Sequence, residues 1–160
     1  MRVYVSGASG LIGSRVVSLL QSRGDDVVRL VRRAETSAER GLPQAVFLPS
    51  EGGAELDGAD AVIHLAGESI AGGRWTDARK QRILESRTQG TAAIARAIAD
   101  MEHKPATLIS ASAIGYYGDR GDDWVDEHAS PGDLFISDVC IQWEAAADLA
   151  REAVVRVVHP

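Results

Sequence analysis

Gly7, Gly10 and Gly13, three residues apart in Gly7-Ala8-Ser9-Gly10-Leu11-Ile12-Gly13, are the residues of this sequence best suited to cradling a phosphate. A tight turn needs no Cβ at Gly7, close approach of a pyrophosphate needs none at Gly10, and packing of a helix on a strand needs none at Gly13. The loop follows an apolar run at 3–6 and opens a segment, 11–23, in which Val16, Val17, Leu19 and Leu20 recur at helical spacing before Gly24 stops it. A helix N-terminus there offers free N–H groups and a positive dipole end to an anion. Gly7, Ser9, Gly10, Leu11 and Ile12 are therefore expected to hold the phosphates of a nucleotide, the plainer alternative being a turn whose glycines serve geometry alone.

The end of the second apolar run decides which dinucleotide fits. An Asp or Glu there would accept hydrogen bonds from both ribose hydroxyls and select NAD(H). The chain instead reads Leu30-Val31-Arg32-Arg33, with no carboxylate and two guanidiniums, which suits a 2′-phosphate and favours NADP(H) over NAD(H). Two solvated arginines after a strand are the plainer alternative. The later run Ala61-Val62-Ile63-His64-Leu65-Ala66-Gly67 ends in small residues, so Leu65, Ala66 and Gly67 are expected where backbone passes close to ribose and pyrophosphate. His64 lies inside an apolar strand and reads more readily as a packed histidine than as a catalyst.

Six short β-rich runs position these residues, at 3–6, 27–31, 46–48, 61–65, 107–111 and 154–158. Longer helical patterns separate them: 11–23, a short and weak crossover around 34–41, a long helix from a Thr76-Asp77 cap to about Met101, and another over 134–151. Strands alternating with helices predict an α/β fold, a six-stranded doubly wound parallel sheet occupying residues 1–160. The stretch 114–133 is a long loop rich in Gly and Asp, a length that tends to carry function.

Composition narrows the classes. Among 160 residues, 45% are hydrophobic and 25% charged, as in a soluble globular domain. Seventeen Lys and Arg against 23 Asp and Glu leave a net charge of −6, which repels nucleic acid and anionic membranes, so neither is an expected partner. A single cysteine, Cys140, cannot form an internal disulfide, and four scattered histidines have no metal-ligand spacing. The expectation is a cytoplasmic protein with a metal-free site, no signal peptide and no membrane helix.

Gly7–Gly13, the His64-Leu65-Ala66-Gly67 strand end and Ser110-Ala111-Ser112-Ala113-Ile114-Gly115-Tyr116-Tyr117-Gly118 together resemble the extended short-chain dehydrogenase/reductase superfamily. More narrowly, Leu65-Ala66-Gly67-Glu68, Gly73-Arg74-Trp75, Ser86-Arg87, Val139-Cys140 and Trp143-Glu144-Ala145-Ala146 resemble its atypical branch. That branch comprises NAD-dependent epimerase/dehydratases of the sugar-nucleotide epimerase, cell-division-inhibitor type. The resemblance implies a Rossmann NAD(P)-binding fold. It places Arg32 near the 2′-phosphate, Leu65 and Ala66 at the ribose, Ser110 in the cofactor set, and Arg87 reaching the cofactor from the long helix. A solvated helix charge is the plainer account of Arg87.

Extended members of the superfamily use a Ser or Thr with a Tyr-x-x-x-Lys pair, in which lysine lowers the tyrosine pKa while C4 of nicotinamide exchanges hydride. Here Phe135 with Val139, or Ile136 with Cys140, fall at the two places, and no lysine lies between residues 105 and 160. Ser112, Tyr116 and Tyr117 remain as catalytic candidates. Ser112 is nearest the family's Ser/Thr position, although an ungapped alignment on Tyr117-Gly118 puts Ala113 there; loop packing is the alternative role for all three. Cys140, among apolar helix residues, reads as a buried structural thiol.

Three functions follow as expectations. One is an NADP(H)-dependent oxidoreductase or epimerase of a hydroxylated, nucleotide-linked or smaller, substrate. Another is a non-catalytic NADP(H) sensor or partner-binding protein. The third is a flavodoxin-like binder of some other phosphate ligand. Ile83, Ile94, Ile98 and Trp143 could face a second copy in a homodimer or pack on their own sheet. The resemblance also implies an N-terminal portion that stops at the sixth strand, before one more strand and a C-terminal substrate lobe.

Overall fold

The computed structural model describes residues 1–32, 42–49, 53–153 and 155–159. The expected crossover at 34–41 and Arg33 lie outside the described residues. The strands are β1 (Arg2–Ser6), β2 (Asp26–Val31), β3 (Gln44–Leu48), β4 (Gly53–Ala54), β5 (Ala61–His64), β6 (Thr107–Ser110) and β7 (Arg156–Val158). The helices are α1 (Leu11–Ser22), α2 (Asp77–Asp100), α3 (Phe135–Ala145) and α4 (Asp148–Glu152), with one 3-10 turn at Ile114–Tyr117.

The sheet order is β4-β3-β2-β1-β5-β6-β7. Every pairing is parallel except β3 with β4. Without β4 the order is that of a doubly wound Rossmann sheet, whose direction of winding reverses between β1 and β5. The six expected strands are the parallel ones, and a seventh, β4, joins the edge beside β3. β4 is two residues long and pairs antiparallel through Phe47 with Ala54 and Leu48 with Gly53, too short a run to leave an alternating pattern in the sequence. The last strand begins at Arg156 rather than at 154, which lies outside the described residues.

Alternation along the strands divides the core. Val3, Val5 and Val27 pack with Val17 of α1 on one face. Tyr4, Val28, Val62 and Leu108 pack with Ile94 and Ile98 of α2, and with Ala147 and Ala150, on the other. Ile83, Ile94 and Ile98 are fully buried within the chain and Trp143 nearly so, its indole N–H donating to Thr91 Oγ1 at 2.9 Å. All four therefore pack at home.

Thr76 caps α2 as expected, its Oγ1 accepting from Arg79 N, and Asp77 in the first turn complements the dipole. The helix expected over 134–151 is two helices. Ala147 N–H reaches back three residues to Glu144 O and Ala150 N–H to Ala147 O, tightening the chain at a fully buried alanine. An alanine run has no propensity to break, so packing against α2 sets the kink.

Candidate functional site

Gly7 leaves β1 at φ +67°, and a Cβ added to it would lie 2.8 Å from the carbonyl carbon of Leu65. The glycine loop and the exit of β5 are therefore pressed together. At Gly13 an added Cβ would meet the Gly7 carbonyl, 2.8 Å from its carbon and nearer still to its oxygen, so α1 starts in contact with the turn. Gly10 N–H donates to Gly7 O at 2.9 Å and closes that turn. α1 has no side-chain cap and no acidic residue in its first turn, which leaves its positive end facing outward.

Ser6, the last residue of β1, joins the two strand exits. Its Oγ is 2.6 Å from His64 Nδ1 and accepts from Leu65 N and Ala66 N at 3.2 and 3.3 Å. His64 is completely buried, edge-on to Phe47 at 5.9 Å between ring centroids, and desolvation pushes its pKa down to about 4. It is a neutral, packed histidine, in agreement with the sequence reading. Its part in holding the β5 exit was missed. Two serines and a histidine flanking one sheet row, Ser6-His64-Ser110, were the available signal.

A cleft of about 940 Å³ opens where the winding reverses, at the carboxyl ends of β1, β2 and β5. Of the expected cofactor residues, Gly7, Ser9, Gly10, Arg32, Leu65, Ala66 and Gly67 line it. Phe47, Glu68, Glu85, Ser86 and Gln89 also line it and were not anticipated. Its volume is in the range of small-molecule and cofactor sites, and its glycine-walled end admits close backbone approach. The residues present fit a dinucleotide.

The other expected cofactor residues stand elsewhere. Leu11 and Ile12 begin α1 and are largely exposed, outside the cleft lining. Ser110 is fully buried, with no hydrogen-bond partner for its Oγ among the described residues. Arg87 sits behind the β5 exit. Its Nη1 donates to Glu68 O at 3.0 Å and to Ile83 O at 3.1 Å, its guanidinium lies 5.0 Å from the Trp143 ring centroid, and burial lowers its pKa. It braces the cleft wall from α2.

The catalytic candidates gather beyond β6. Ser112 Oγ donates to Glu144 Oε1 on α3. Tyr116 and Tyr117 lie in the 3-10 turn with ring centroids 5.3 Å apart. That turn is fastened to α3 by Ser137 Oγ donating to Gly115 O at 2.9 Å, and the loop after it is closed by Gly132 N donating to Tyr116 O and Arg120 Nε to Tyr117 O. Val139 and Cys140 are buried, and the thiol, 3.7 Å from Ala113 O, has its pKa raised, first by desolvation and then by Glu144. No described helix is long and apolar enough to cross a membrane.

The NAD dependent epimerase/dehydratase family model matches residues 3–135. The chain is 40% identical over 159 residues to the epimerase family protein Mb2239 of Mycobacterium bovis, covering 98% of this chain and 51% of that protein. It is 34% identical over 163 residues to the epimerase family protein YfhF of Bacillus subtilis, covering 99% and 53%. Among solved structures, the human epimerase family protein SDR39U1 (isoform 2) with NADPH aligns with a TM-score of 0.84 at 30% identity, over 99% of this chain and 52% of that one. The nucleoside-diphosphate sugar epimerase from Corynebacterium glutamicum aligns at 0.80 and 35%, over 99% and 33%. The chain spans about half the length of the curated relatives it matches.

Proposed function

Because the chain belongs to the NAD dependent epimerase/dehydratase family, we propose that its cleft binds a nicotinamide dinucleotide, NADP(H) in preference to NAD(H), for an oxidoreduction or epimerisation of a hydroxylated small molecule. The observation that carries the preference is Arg32, which lines the cleft at the end of β2. Its guanidinium offers a 2′-phosphate two charge-assisted hydrogen bonds. Among the described residues, the carboxylates lining the cleft, Glu68 and Glu85, come from the β5 exit and from α2, so neither stands at the β2 end where a ribose diol would be read. Gly7 and Gly10 let backbone reach a pyrophosphate, and the α1 N-terminus favours its charge. Nicotinamide, when bound, supplies hydride chemistry at C4; the chain holds and orients it. The single cysteine and the charge of −6 fit a cytoplasmic protein that takes a small molecule rather than nucleic acid. NADPH and NADH titrations that give equal affinities would contradict the preference.

In this reading Ser112, Tyr116 and Tyr117, which follow β6 in a segment tied to α3, supply the reacting groups. A second reading, a non-catalytic NADP(H)-binding protein, is favoured by α3 itself, where Val139 and Cys140 are buried and no lysine is present. Hydride exchange at C4 that is lost in Tyr116→Phe or Tyr117→Phe supports the enzyme. Binding of NADPH without exchange supports the second reading.

A further inference from the structure

We propose that Lys80, Trp75 and Phe135 form a subsite beside the dinucleotide cleft that takes a hydroxylated substrate bearing a carboxylate or a phosphate. Trp75 precedes the Thr76 cap and Lys80 lies in the first turns of α2, while Phe135 opens α3. The Trp75 and Phe135 ring centroids are 5.8 Å apart at 75°, and Lys80 Nζ is 5.4 Å from the Phe135 centroid. Both helices begin at the carboxyl edge of the sheet, where ligands of such folds bind. α2 also sends Glu85 and Ser86 into the cleft, five and six residues after Lys80, or about 7.5 to 9 Å along the helix axis.

The segment carrying Trp75 is held in place. Arg79 Nη2 donates to Ser69 O and Ala71 O at 3.1 and 2.9 Å, and Trp75 Nε1 donates to Ile70 O at 3.2 Å. Trp75 is still 38% exposed as a residue, so part of its surface is open to a ligand. Arg79 and Arg87 direct their charge to backbone carbonyls, whereas the half-buried Lys80 has neither a carboxylate within 4.0 Å nor a hydrogen-bond acceptor among the described residues. An ammonium near a ring face still has N–H donors free for an incoming oxygen. It also stands beside the start of α3, the helix that has no lysine of its own.

This inference rests on the adjoining cleft being the cofactor site, and its test separates the two. In ¹H–¹⁵N spectra of the 160-residue chain, with and without saturating NADPH, the Trp75 Nε1–H signal is assigned through Trp75→Phe. It is then followed while glucose 6-phosphate, glucuronate, glucose or inorganic phosphate is added. The Gly7–Gly13 amides report NADPH independently.

Either anionic sugar should move the Trp75 signal, glucose should not, and Lys80→Met should weaken the response about tenfold or more while Lys80→Arg retains most of it. A response to one sugar alone identifies phosphate or carboxylate as the preferred group. The proposal is overturned if glucose acts as strongly as the anionic sugars, if no addition moves the signal, or if Lys80→Met leaves the affinities unchanged. It is likewise overturned if inorganic phosphate alone reproduces the effect without dependence on Lys80. Silent loop amides on NADPH addition would count against the cofactor reading and leave the Trp75 result intact.

Discussion

Ser6 Oγ lies 2.6 Å from His64 Nδ1 while accepting from Leu65 N and Ala66 N. With both oxygen lone pairs engaged, the hydroxyl proton goes to Nδ1, and the network assigns the imidazole proton to Nε2, which faces Gly90 of α2 and has no hydrogen-bond partner among the described residues. One hydroxyl thus sets the β5 exit at the cleft wall and the tautomer of a buried base.

Removing that hydroxyl in Ser6→Ala takes the acceptor from Ala66 N–H and the partner from one ring nitrogen, and leaves Leu65 N–H with the Ser6 carbonyl alone. The expected cost is about 2–3 kcal/mol in urea unfolding, the scale of losing a partner from buried polar groups. NADPH affinity should fall with it, because Leu65 and Ala66 line the cleft. Unchanged stability would show that the hydroxyl is replaceable by water.

His64 makes stability depend on pH. Its pKa is about 4 in the fold against 6.5 in the unfolded chain, so below pH 6.5 the unfolded chain takes up a proton that the fold refuses. Stability attributable to this residue is whole above pH 6.5 and drains away as pH falls toward 4. At pH 5 the loss should be about 2 kcal/mol, at roughly 1.4 kcal/mol per pH unit. Urea unfolding at pH 7.5 and pH 5 should give a difference smaller by that amount in His64→Gln; equal differences would place the titration elsewhere.

Gly13→Ala should be among the most damaging single-methyl changes in the chain, since the new Cβ runs into the Gly7 carbonyl and no flexible side chain can yield. A loss of about 3 kcal/mol or more is expected, together with loss of NADPH binding, from moving α1 off the loop. Chemical denaturation with a cofactor titration reads both.

Arg87→Ala removes the donor to Glu68 O and the cation over Trp143. About 1–2 kcal/mol of stability should go, with weaker NADPH binding through a looser Gly67–Glu68 segment. Arg87→Lys should rescue little, because a point charge cannot both stack on the indole and bridge two carbonyls.

Much of this fold was legible because its signals are local. The apolar runs of β1 and β2, the Thr76 cap and the glycine spacing each name their own structure. β4 was not legible, being two residues that exist only through pairing with Phe47 and Leu48. Nor was the kink at Ala147, where packing against α2 overrides a good helix former. At the cleft, Gly7, Ser9 and Gly10 of the glycine loop and the strand exits Arg32 and Leu65–Gly67 were readable from position alone, whereas Leu11 and Ile12 turn away from it on α1. Glu85, Ser86 and Gln89 come to the cleft through α2, and Ser6 braces its wall through a partner 58 residues away, neither of which spacing can reveal.

The most direct test of the central claim is a titration of NADPH and NADH against the chain and its Arg32→Ala variant. NADPH affinity should drop about tenfold or more, with NADH affinity nearly unchanged, because only the 2′-phosphate loses a partner. NADPH binding indifferent to Arg32→Ala, or equal losses for both dinucleotides, would contradict the assignment.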